Sequence, residues 1–127
     1  MYAKDYKKIL EDNMLEHAIT CLGSDWIFQQ DNDPKHTSKL VKQWFVDNEV
    51  EVLEWPSQSP DLNPIEHLWE ELDRRIRARN FTKTAALFKV LEEEWKKISI
   101  DVIIKLVESM PRRCQAVIDA KGYATKY

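Results

Sequence analysis

The sequence contains little glycine and no long apolar run. Only two of its 127 residues are glycine, Gly23 and Gly122, which excludes a glycine-rich phosphate loop and a dinucleotide-binding fingerprint. No apolar run approaches the roughly 20 residues needed to cross a bilayer. Residues 1–8 are charged and lack the apolar stretch of a signal peptide. We therefore expect no membrane association and no secretory leader.

The two cysteines, Cys21 and Cys114, stand far apart and match no metal-binding spacing. This usage favours a reducing intracellular compartment in which both are small core residues. Hydrophobic residues make up 43% of the chain and charged residues 32%. That composition and length are typical of one globular domain with its own core.

Basic residues are not in excess over the whole chain, whose formal net charge is −3. Their distribution is uneven, because residues 1–60 carry 6 basic and 11 acidic side chains whereas residues 61–127 carry 13 and 11. The segment from Arg74 to Lys89 holds six basic side chains and no acidic one. A local basic stripe matters more for phosphate contact than total charge. The alternative interpretation is a solvated helix face.

Apolar periodicity predicts helices and strands in alternation, followed by helices alone. Residues 2–22 are predicted to form a helix and residues 26–30 a buried strand. A helix capped by Thr37 or Ser38 and a strand over residues 50–55 follow. Four more helices are marked by apolar positions within 65–76, 88–98, 103–110 and 112–120. This order predicts an α/β fold with a parallel strand pair. Helical spacing places Leu40, Trp44, Trp69, Phe88 and Trp95 on apolar, core-facing sides.

Two carboxylates stand out by their position. Asp31 follows the first strand directly, and Glu66 lies in the first turn of an amphipathic helix, with 34 residues between them. Sites in α/β sheets lie beyond the carboxyl ends of strands, and carboxylate oxygens bind Mg²⁺. Two such ions flanking a phosphodiester activate the attacking oxygen and stabilise the leaving one. The alternatives are an Asx turn for Asp31 and a capping box over residues 63–66 for Glu66.

Two long motifs surround these carboxylates. The run from Phe28 to Ser38 is FQQDNDPKHTS, and the run from Trp55 to Trp69 is WPSQSPDLNPIEHLW. They resemble the second and third catalytic blocks of the Tc-like branch of Tc/mariner transposases, and the 34-residue gap matches that branch. The C-terminal run KGYATKY resembles the tail of the same family. The resemblance covers essentially the whole chain.

The resemblance implies the RNase H-like catalytic core of integrases and transposases. The implied activity is excision and insertion of a DNA transposon, with DNA as the partner, Mg²⁺ or Mn²⁺ as the cofactor and the nucleus as the location. Asp31 would correspond to the second catalytic and metal-binding acid and Glu66 to the third. Catalysis in such enzymes consists of positioning and neutralising the phosphoryl centre.

The sequence departs from the family pattern at its N-terminal side. The family's first catalytic Asp lies on a strand upstream of the matched region, and no residue here matches it. We therefore expect an N-terminally truncated domain, with an RNase H-like part over 1–80 and helices over 81–127, that is inactive alone. The strand bearing Asp31 would have an open edge, which favours self-association or association with full-length transposase. A monomer that melts cooperatively at high concentration would contradict this expectation.

Further residues are candidates for contact with DNA. Lys35 and His36 follow Asp31 and are predicted to contact phosphates; the alternative is a solvated turn. Arg74, Arg75 and Arg77 point in several directions around one helix, so only some of them can contact a duplex. Two other functions stay open: a non-catalytic nucleic-acid-binding module, and an inhibitory protein that associates with an intact transposase.

Overall fold

The computed structural model describes residues 1–77 and 79–127, which form two compact units, Met1–Gln58 and Ser59–Tyr127. Each unit is described by itself. The sequence predicts an RNase H-like part over residues 1–80 and helices over residues 81–127, and this division stays a prediction.

The N-terminal unit begins with a long helical segment, as predicted for residues 2–22. It consists of α1 (Ala3–Ile9), a π-helical segment (Leu10–Met14) and α2 (Leu15–Leu22), and it ends at Gly23. Gly23 has φ +73°, a left-handed conformation that glycine adopts without steric cost. The π-helical segment places Leu10 in the core at 3% exposure.

Helix α3 (Lys39–Asp47) supplies most of the core of this unit. The Ser38 hydroxyl accepts from the Val41 backbone N–H at 3.3 Å, so Ser38 is the helix cap. Val41, Trp44 and Phe45 are buried at 0%, 5% and 4% exposure. The prediction for Leu40 is wrong, since it is 46% exposed. Neighbouring positions on a helix point in different directions, so α3 can bury only some of its apolar side chains in a small core.

The predicted strand pair is reduced to one parallel bridge between Phe28 and Val52. The Phe28 N–H donates to the Glu51 carbonyl and the Leu53 N–H donates to the Phe28 carbonyl, both at 2.8 Å. The parallel direction is confirmed, but no regular strand forms among residues 1–77 and 79–127. A two-stranded pairing without a third strand is marginal. Within the same residues, the backbones of Ile27 and Gln29, on the opposite edge, make no hydrogen bond.

The C-terminal unit contains a short 3-10 turn (Pro60–Leu62) and helix α4 (Ile65–Ile76), which buries Leu68 and Leu72. The remaining helices are α5 (Thr84–Lys96), α6 (Ile100–Glu108) and α7 (Met110–Asp119). All four predicted helices are confirmed. Pro111 stands in the first turn of α7, where its missing N–H costs nothing.

The sequence predicts Gly122 as the left-handed stop of α7, but the first left-handed residue after the helix is Lys121, with φ +52°. The Lys121 N–H donates to the Ile118 carbonyl and the Gly122 N–H to the Val117 carbonyl, both at 3.0 Å, which is a Schellman motif. Gly122 follows with φ +83°.

Several predicted core residues of the C-terminal unit are exposed. Trp69 and Trp95 are 49% and 40% exposed and pack against each other with ring centroids 5.5 Å apart. Phe88 is 69% exposed. Trp69 from α4 and Phe88 and Trp95 from α5 are among the side chains that line an apolar groove of about 460 Å³ between the two helices. Cys21 and Cys114 are also exposed, which corrects their assignment to the core.

Candidate active site

Asp31 lies in the turn that follows the Phe28 bridge, and its side chain is 53% exposed. Its Oδ1 accepts from the Asp33 backbone N–H at 3.1 Å, which is the Asx turn considered from the sequence. The same Oδ1 lies 2.5 Å from His36 Nδ1. In the described part of the chain, Oδ2 makes no hydrogen bond. The Asx turn therefore fixes the carboxyl group while leaving one oxygen for a ligand.

His36 is held on two sides beside Asp31. An ionised carboxylate only accepts hydrogen bonds, so the contact with Asp31 requires a proton on His36 Nδ1. The ring stacks on Tyr6 with centroids 4.0 Å apart, and the His36 side chain is only 17% exposed. The Tyr6 hydroxyl donates to Gln30 Oε1 at 2.8 Å, and Gln30 Nε2 donates to the His36 carbonyl at 3.3 Å. Tyr6 and Gln30 thus hold His36, which holds Asp31.

Sequence reasoning missed Tyr6 and Gln30 as members of this site. The sequence places Tyr6 within the first predicted helix and Gln30 at the end of the first predicted strand, with no further role for either. Tyr6 lies 24 positions from its partner Gln30, so no local spacing marks the pair. The motif over residues 28–38 contains Gln30, Asp31 and His36, and it is the one sequence feature that covers part of this hydrogen-bond network.

The Tyr6 phenol should make the N-terminal unit sensitive to alkaline pH. Burial raises the pKa of Tyr6 to about 12, and the negative charge of Asp31 adds to the effect. The folded state therefore keeps a proton that the unfolded state releases near pH 10, so stability is full below about pH 10 and falls up to about pH 12. The full shift corresponds to about 2.7 kcal/mol, and screening of this half-buried group reduces it to about 1 kcal/mol.

Urea unfolding at several pH values checks this expectation against Tyr6→Phe, which has no phenol to titrate. Between about pH 9 and pH 12 the wild-type free energy of unfolding should fall by about 1 kcal/mol more than that of Tyr6→Phe. Parallel curves for the two proteins would contradict the assignment.

Lys35 does not point freely from the turn. Its Nζ lies 2.5 Å from Asp33 Oδ2, and its backbone N–H donates to Asp33 Oδ1 at 3.0 Å. The hydrogen bond from the Lys35 side chain holds the pKa of Asp33 below its usual value. Asn32 Nδ2 donates to the Trp55 carbonyl at 2.6 Å and ties the turn to the segment after Val52. The predicted phosphate contacts of Lys35 and His36 stay predictions, and both side chains already have partners.

Glu66 is exposed in the first turn of α4. Asn63 Oδ1 accepts from the Ile65 N–H at 3.4 Å, while no hydrogen bond or ion pair of the Glu66 side chain is found within the described residues. The reciprocal bond of a capping box, from the Asn63 N–H to Glu66, is not formed; that N–H donates to the Pro60 carbonyl at 3.0 Å. The Glu66 carboxylate therefore has no role in capping its own helix. His67, the next residue of the helix, is partly exposed, and its Nδ1 lies 3.8 Å from Glu70 Oε2.

The predicted DNA-binding arginines of α4 all have acidic neighbours. Arg74 pairs with Glu71, and Arg77 Nη2 lies 2.6 Å from Asp73 Oδ2. Their side chains are 76% and 79% exposed. Arg75 differs, because it is 31% exposed and lies between Glu71, at 2.8 Å, and the buried Glu94, at 3.9 Å.

Glu94 collects three cations although its side chain is only 8% exposed. Lys97 lies at 2.9 Å, Arg79 at 3.2 Å and Arg75 at 3.9 Å. The hydrogen bond from Lys97 is the largest of the effects that lower the pKa of Glu94. Part of the basic stripe therefore neutralises a buried acid of α5.

Both candidate metal ligands are of a chemical type that binds divalent cations. Asp31 in the N-terminal unit offers a free Oδ2, and Glu66 in the C-terminal unit offers a free carboxylate. Both are the hard oxygen donors that Mg²⁺ prefers. Within residues 1–77 and 79–127, no three His, Cys, Asp or Glu side chains converge as a metal-binding group.

Among residues 1–77 and 79–127, none of the helices has both the length and the apolarity that a membrane span requires.

Comparison with known proteins places both motifs in one family. The profile of the family described as DDE superfamily endonuclease matches residues 2–89. The chain is 58% identical over 122 residues to the transposable element Tc1 transposase of Caenorhabditis elegans, covering 96% of this chain and 45% of that protein. It is 35% identical over 129 residues to the Tc3 transposase of the same organism, covering 100% and 39%. The chain thus spans less than half the length of these relatives.

Solved structures share the fold. The catalytic domain of Mos1 transposase, in its structure with raltegravir and Mn, superposes with a TM-score of 0.86 at 21% identity. The match covers 99% of this chain and 66% of that one. The structure with Mg gives the same values. The predicted fold class is therefore confirmed as that of a transposase catalytic domain, although the bridge at Phe28 replaces the predicted strands.

Proposed function

Because this chain belongs to the DDE superfamily endonucleases, and within them to the Tc-like transposases, we propose that it is part of a catalytic domain that cuts and joins DNA. The observation that carries the proposal is the state of its two motif carboxylates. Asp31 is fixed through Oδ1 with Oδ2 left over, and Glu66 is exposed without a partner in the described chain. The Asx turn engages only Oδ1 of Asp31, and the capping box at Glu66 is not formed. Both carboxylates therefore keep oxygens for a ligand.

Asp31 and Glu66 would hold Mg²⁺ or Mn²⁺, as the Mg and Mn structures of the Mos1 catalytic domain suggest. The ion supplies Lewis-acid stabilisation of phosphoryl oxygens and activation of water when it is bound. The protein's own contribution is orientation: His36 and the Asp33 N–H hold Oδ1 of Asp31, which leaves Oδ2 for a ligand. A carboxylate fixed in this way loses little conformational entropy on binding an ion.

The chain alone should bind metal weakly and cut DNA weakly or not at all. Two acids neutralise less charge than the three of the family, and no group of three His, Cys, Asp or Glu side chains that could hold a metal is found among the described residues. No residue of this sequence matches the first catalytic acid of the family, and this is the basis of the expected weakness. The family's work on DNA favours the nucleus as the place of action.

Addition of Mn²⁺ to the purified chain tests the proposal by NMR. Paramagnetic broadening should affect the amide signals of residues around Asp31 and Glu66, and Asp31→Asn or Glu66→Gln should weaken the binding by more than about tenfold. The matched control is Glu70→Gln on the same helix, whose side chain is 78% exposed. Equal loss with the control, or no broadening in either motif, would overturn the proposal. Efficient Mn²⁺-dependent DNA cleavage that Glu66→Gln abolishes would overturn the inactivity.

The open edge of the Phe28 bridge favours a second candidate function, association with another copy or with a full-length transposase. The backbone groups of Ile27 and Gln29 on this edge make no hydrogen bond within the described residues, and the Ile27 side chain is 53% exposed. Such an edge accepts a further strand. An inhibitory protein that pairs with intact transposase would use the same surface.

A further inference from the structure

Arg113 on α7 is a buried charge with neutral oxygen partners. The residue is 2% exposed, the lowest value among the charged residues that the structure describes as buried. Its Nε donates to Ser109 Oγ at 2.7 Å and its Nη1 donates to the Asp61 carbonyl at 3.1 Å. Burying a guanidinium is costly unless it makes specific hydrogen bonds. An arginine on the exposed side of α7 would keep its charge in water, so the burial of Arg113 requires an explanation.

The C-terminal tail meets Arg113 at the same point. Thr125 Oγ1 donates to Asp61 Oδ2 at 3.0 Å, and the Tyr127 N–H donates to Thr125 Oγ1 at 3.3 Å. The Arg113 guanidinium carbon lies 4.8 Å from the centroid of the Tyr127 ring, a cation–π contact. Asp61 is therefore held at its carbonyl by Arg113 and at its carboxylate by Thr125. We call Arg113, Thr125 and Tyr127 the tail latch.

The residue that the tail latch holds lies five positions before Glu66. Asp61 is the middle residue of the 3-10 turn Pro60–Leu62. Continuous backbone bonds join this turn to α4, from the Asn63 N–H to the Pro60 carbonyl at 3.0 Å and from the Glu66 N–H to the Asn63 carbonyl at 3.2 Å. Because no side-chain bond in the described chain holds Glu66, its position depends on this backbone path.

We propose that the tail latch positions Glu66 by fixing the turn that leads into α4, so that Arg113 and Thr125 are positioning residues. A catalytic role for the tail latch rests on the proposed function. Its contact with the turn Pro60–Leu62 does not depend on that function. Contacts spanning 52 and 64 positions make the last residues of the chain part of the support of the acidic motif.

Amide hydrogen exchange on the full chain tests the tail latch. Thr125→Val removes the hydroxyl and keeps the shape, so exchange at residues 61–67 should accelerate by about tenfold, the factor expected for one lost hydrogen bond. Exchange in α5 should stay unchanged, because the change is local. Thr125→Ser should restore the wild-type rate. The matched control is Thr82→Val, at an exposed threonine of the same unit. Uniform acceleration throughout the unit, or none at 61–67, would overturn the proposal.

Mn²⁺ broadening at the Glu66 amide separates this proposal from the proposed function. If the wild type shows broadening, Thr125→Val should reduce it while Thr82→Val does not, and unchanged broadening in Thr125→Val would overturn the positioning role. If the wild type shows no broadening, the proposed metal site fails, and the exchange rates at residues 61–67 alone decide for or against the tail latch.

Discussion

Replacing Trp44 with alanine is expected to unfold the N-terminal unit at room temperature. Trp44 is 5% exposed, and its ring packs edge-on against Phe45 with centroids 5.3 Å apart. Truncation of a buried tryptophan to alanine costs about 3–5 kcal/mol. Trp44 belongs to the cluster that also contains Leu10, Val41, Phe45 and Val50. Within residues 1–58 the one further buried apolar side chain is Ala18, so little compensates for the loss.

The expected loss is of the same size as the stability of a small domain. Units of about 60 residues bury a smaller share of their surface than larger domains and are marginal, and whole domains are stable by about 5–15 kcal/mol. Exchange of the amides of residues 1–58 in Trp44→Ala should therefore approach the rates of an unfolded chain.

The control for Trp44→Ala lies two positions away on the same helix. Val46 is 70% exposed, so Val46→Ala should change the free energy of unfolding by less than about 0.5 kcal/mol. Urea titration followed by circular dichroism compares both variants with the wild type. A Trp44→Ala protein within about 1 kcal/mol of the wild type would contradict the assignment of the core.

The sequence predicts the helices well because each is marked locally. Ser38 caps α3 through its own hydroxyl, and Lys121 and Gly122 follow α7 in left-handed conformations. Both effects act within a few residues of the side chain concerned. The strands are different, since a strand depends on partners that lie elsewhere in the chain. Phe28 finds one partner at Val52, which suffices for a bridge and not for a ladder.

The two motifs predicted which acids form the candidate site, but not which side chains surround those acids. The sequence offered an Asx turn as the alternative to a catalytic Asp31, and the structure forms that turn while leaving Oδ2 free. The supports of the site escaped sequence reasoning because they are distant in the chain. Tyr6 reaches Gln30, and Arg113 reaches Asp61, across 24 and 52 positions. Periodicity reports only which face of an element is apolar.

The exposed tryptophans show the limit of the apolar pattern. Trp69 and Trp95 stand at core-facing positions of α4 and α5, yet they form a half-exposed pair at the groove between these helices. The pattern predicted that both tryptophans are core residues, which their exposure contradicts. It could not show that two helices leave part of these large rings uncovered.

The exposed arginines of α4 should give the chain a salt-dependent affinity for duplex DNA. Arg74 and Arg77 form surface ion pairs within their own helix, and such pairs contribute little, about 0.3–0.5 kcal/mol each. Phosphates can therefore replace Glu71 and Asp73 as their partners at low cost. Arg75 cannot be released as easily, because it faces Glu94, whose side chain is 8% exposed.

Fluorescence anisotropy with duplex DNA at several salt concentrations measures this contribution. The double variant Arg74→Gln and Arg77→Gln should lower the slope of log affinity against log salt by about 2, since each phosphate contact contributes about 0.9. At moderate salt the affinity should fall by about tenfold. Arg75→Gln should instead lower the melting temperature, because it leaves Glu94 with fewer cations.

A matched double variant separates local contact from total charge. Arg112→Gln with Lys105→Gln removes the same charge from exposed positions of the same unit outside the stripe. If this control weakens binding as much as the α4 variant, the attraction is a long-range effect of charge and α4 is no interface. If wild-type binding does not weaken between low and moderate salt, phosphate contact itself is excluded, because counterion release must accompany it. A loss confined to the α4 variant assigns the DNA-facing side of the unit to the helix that carries Glu66.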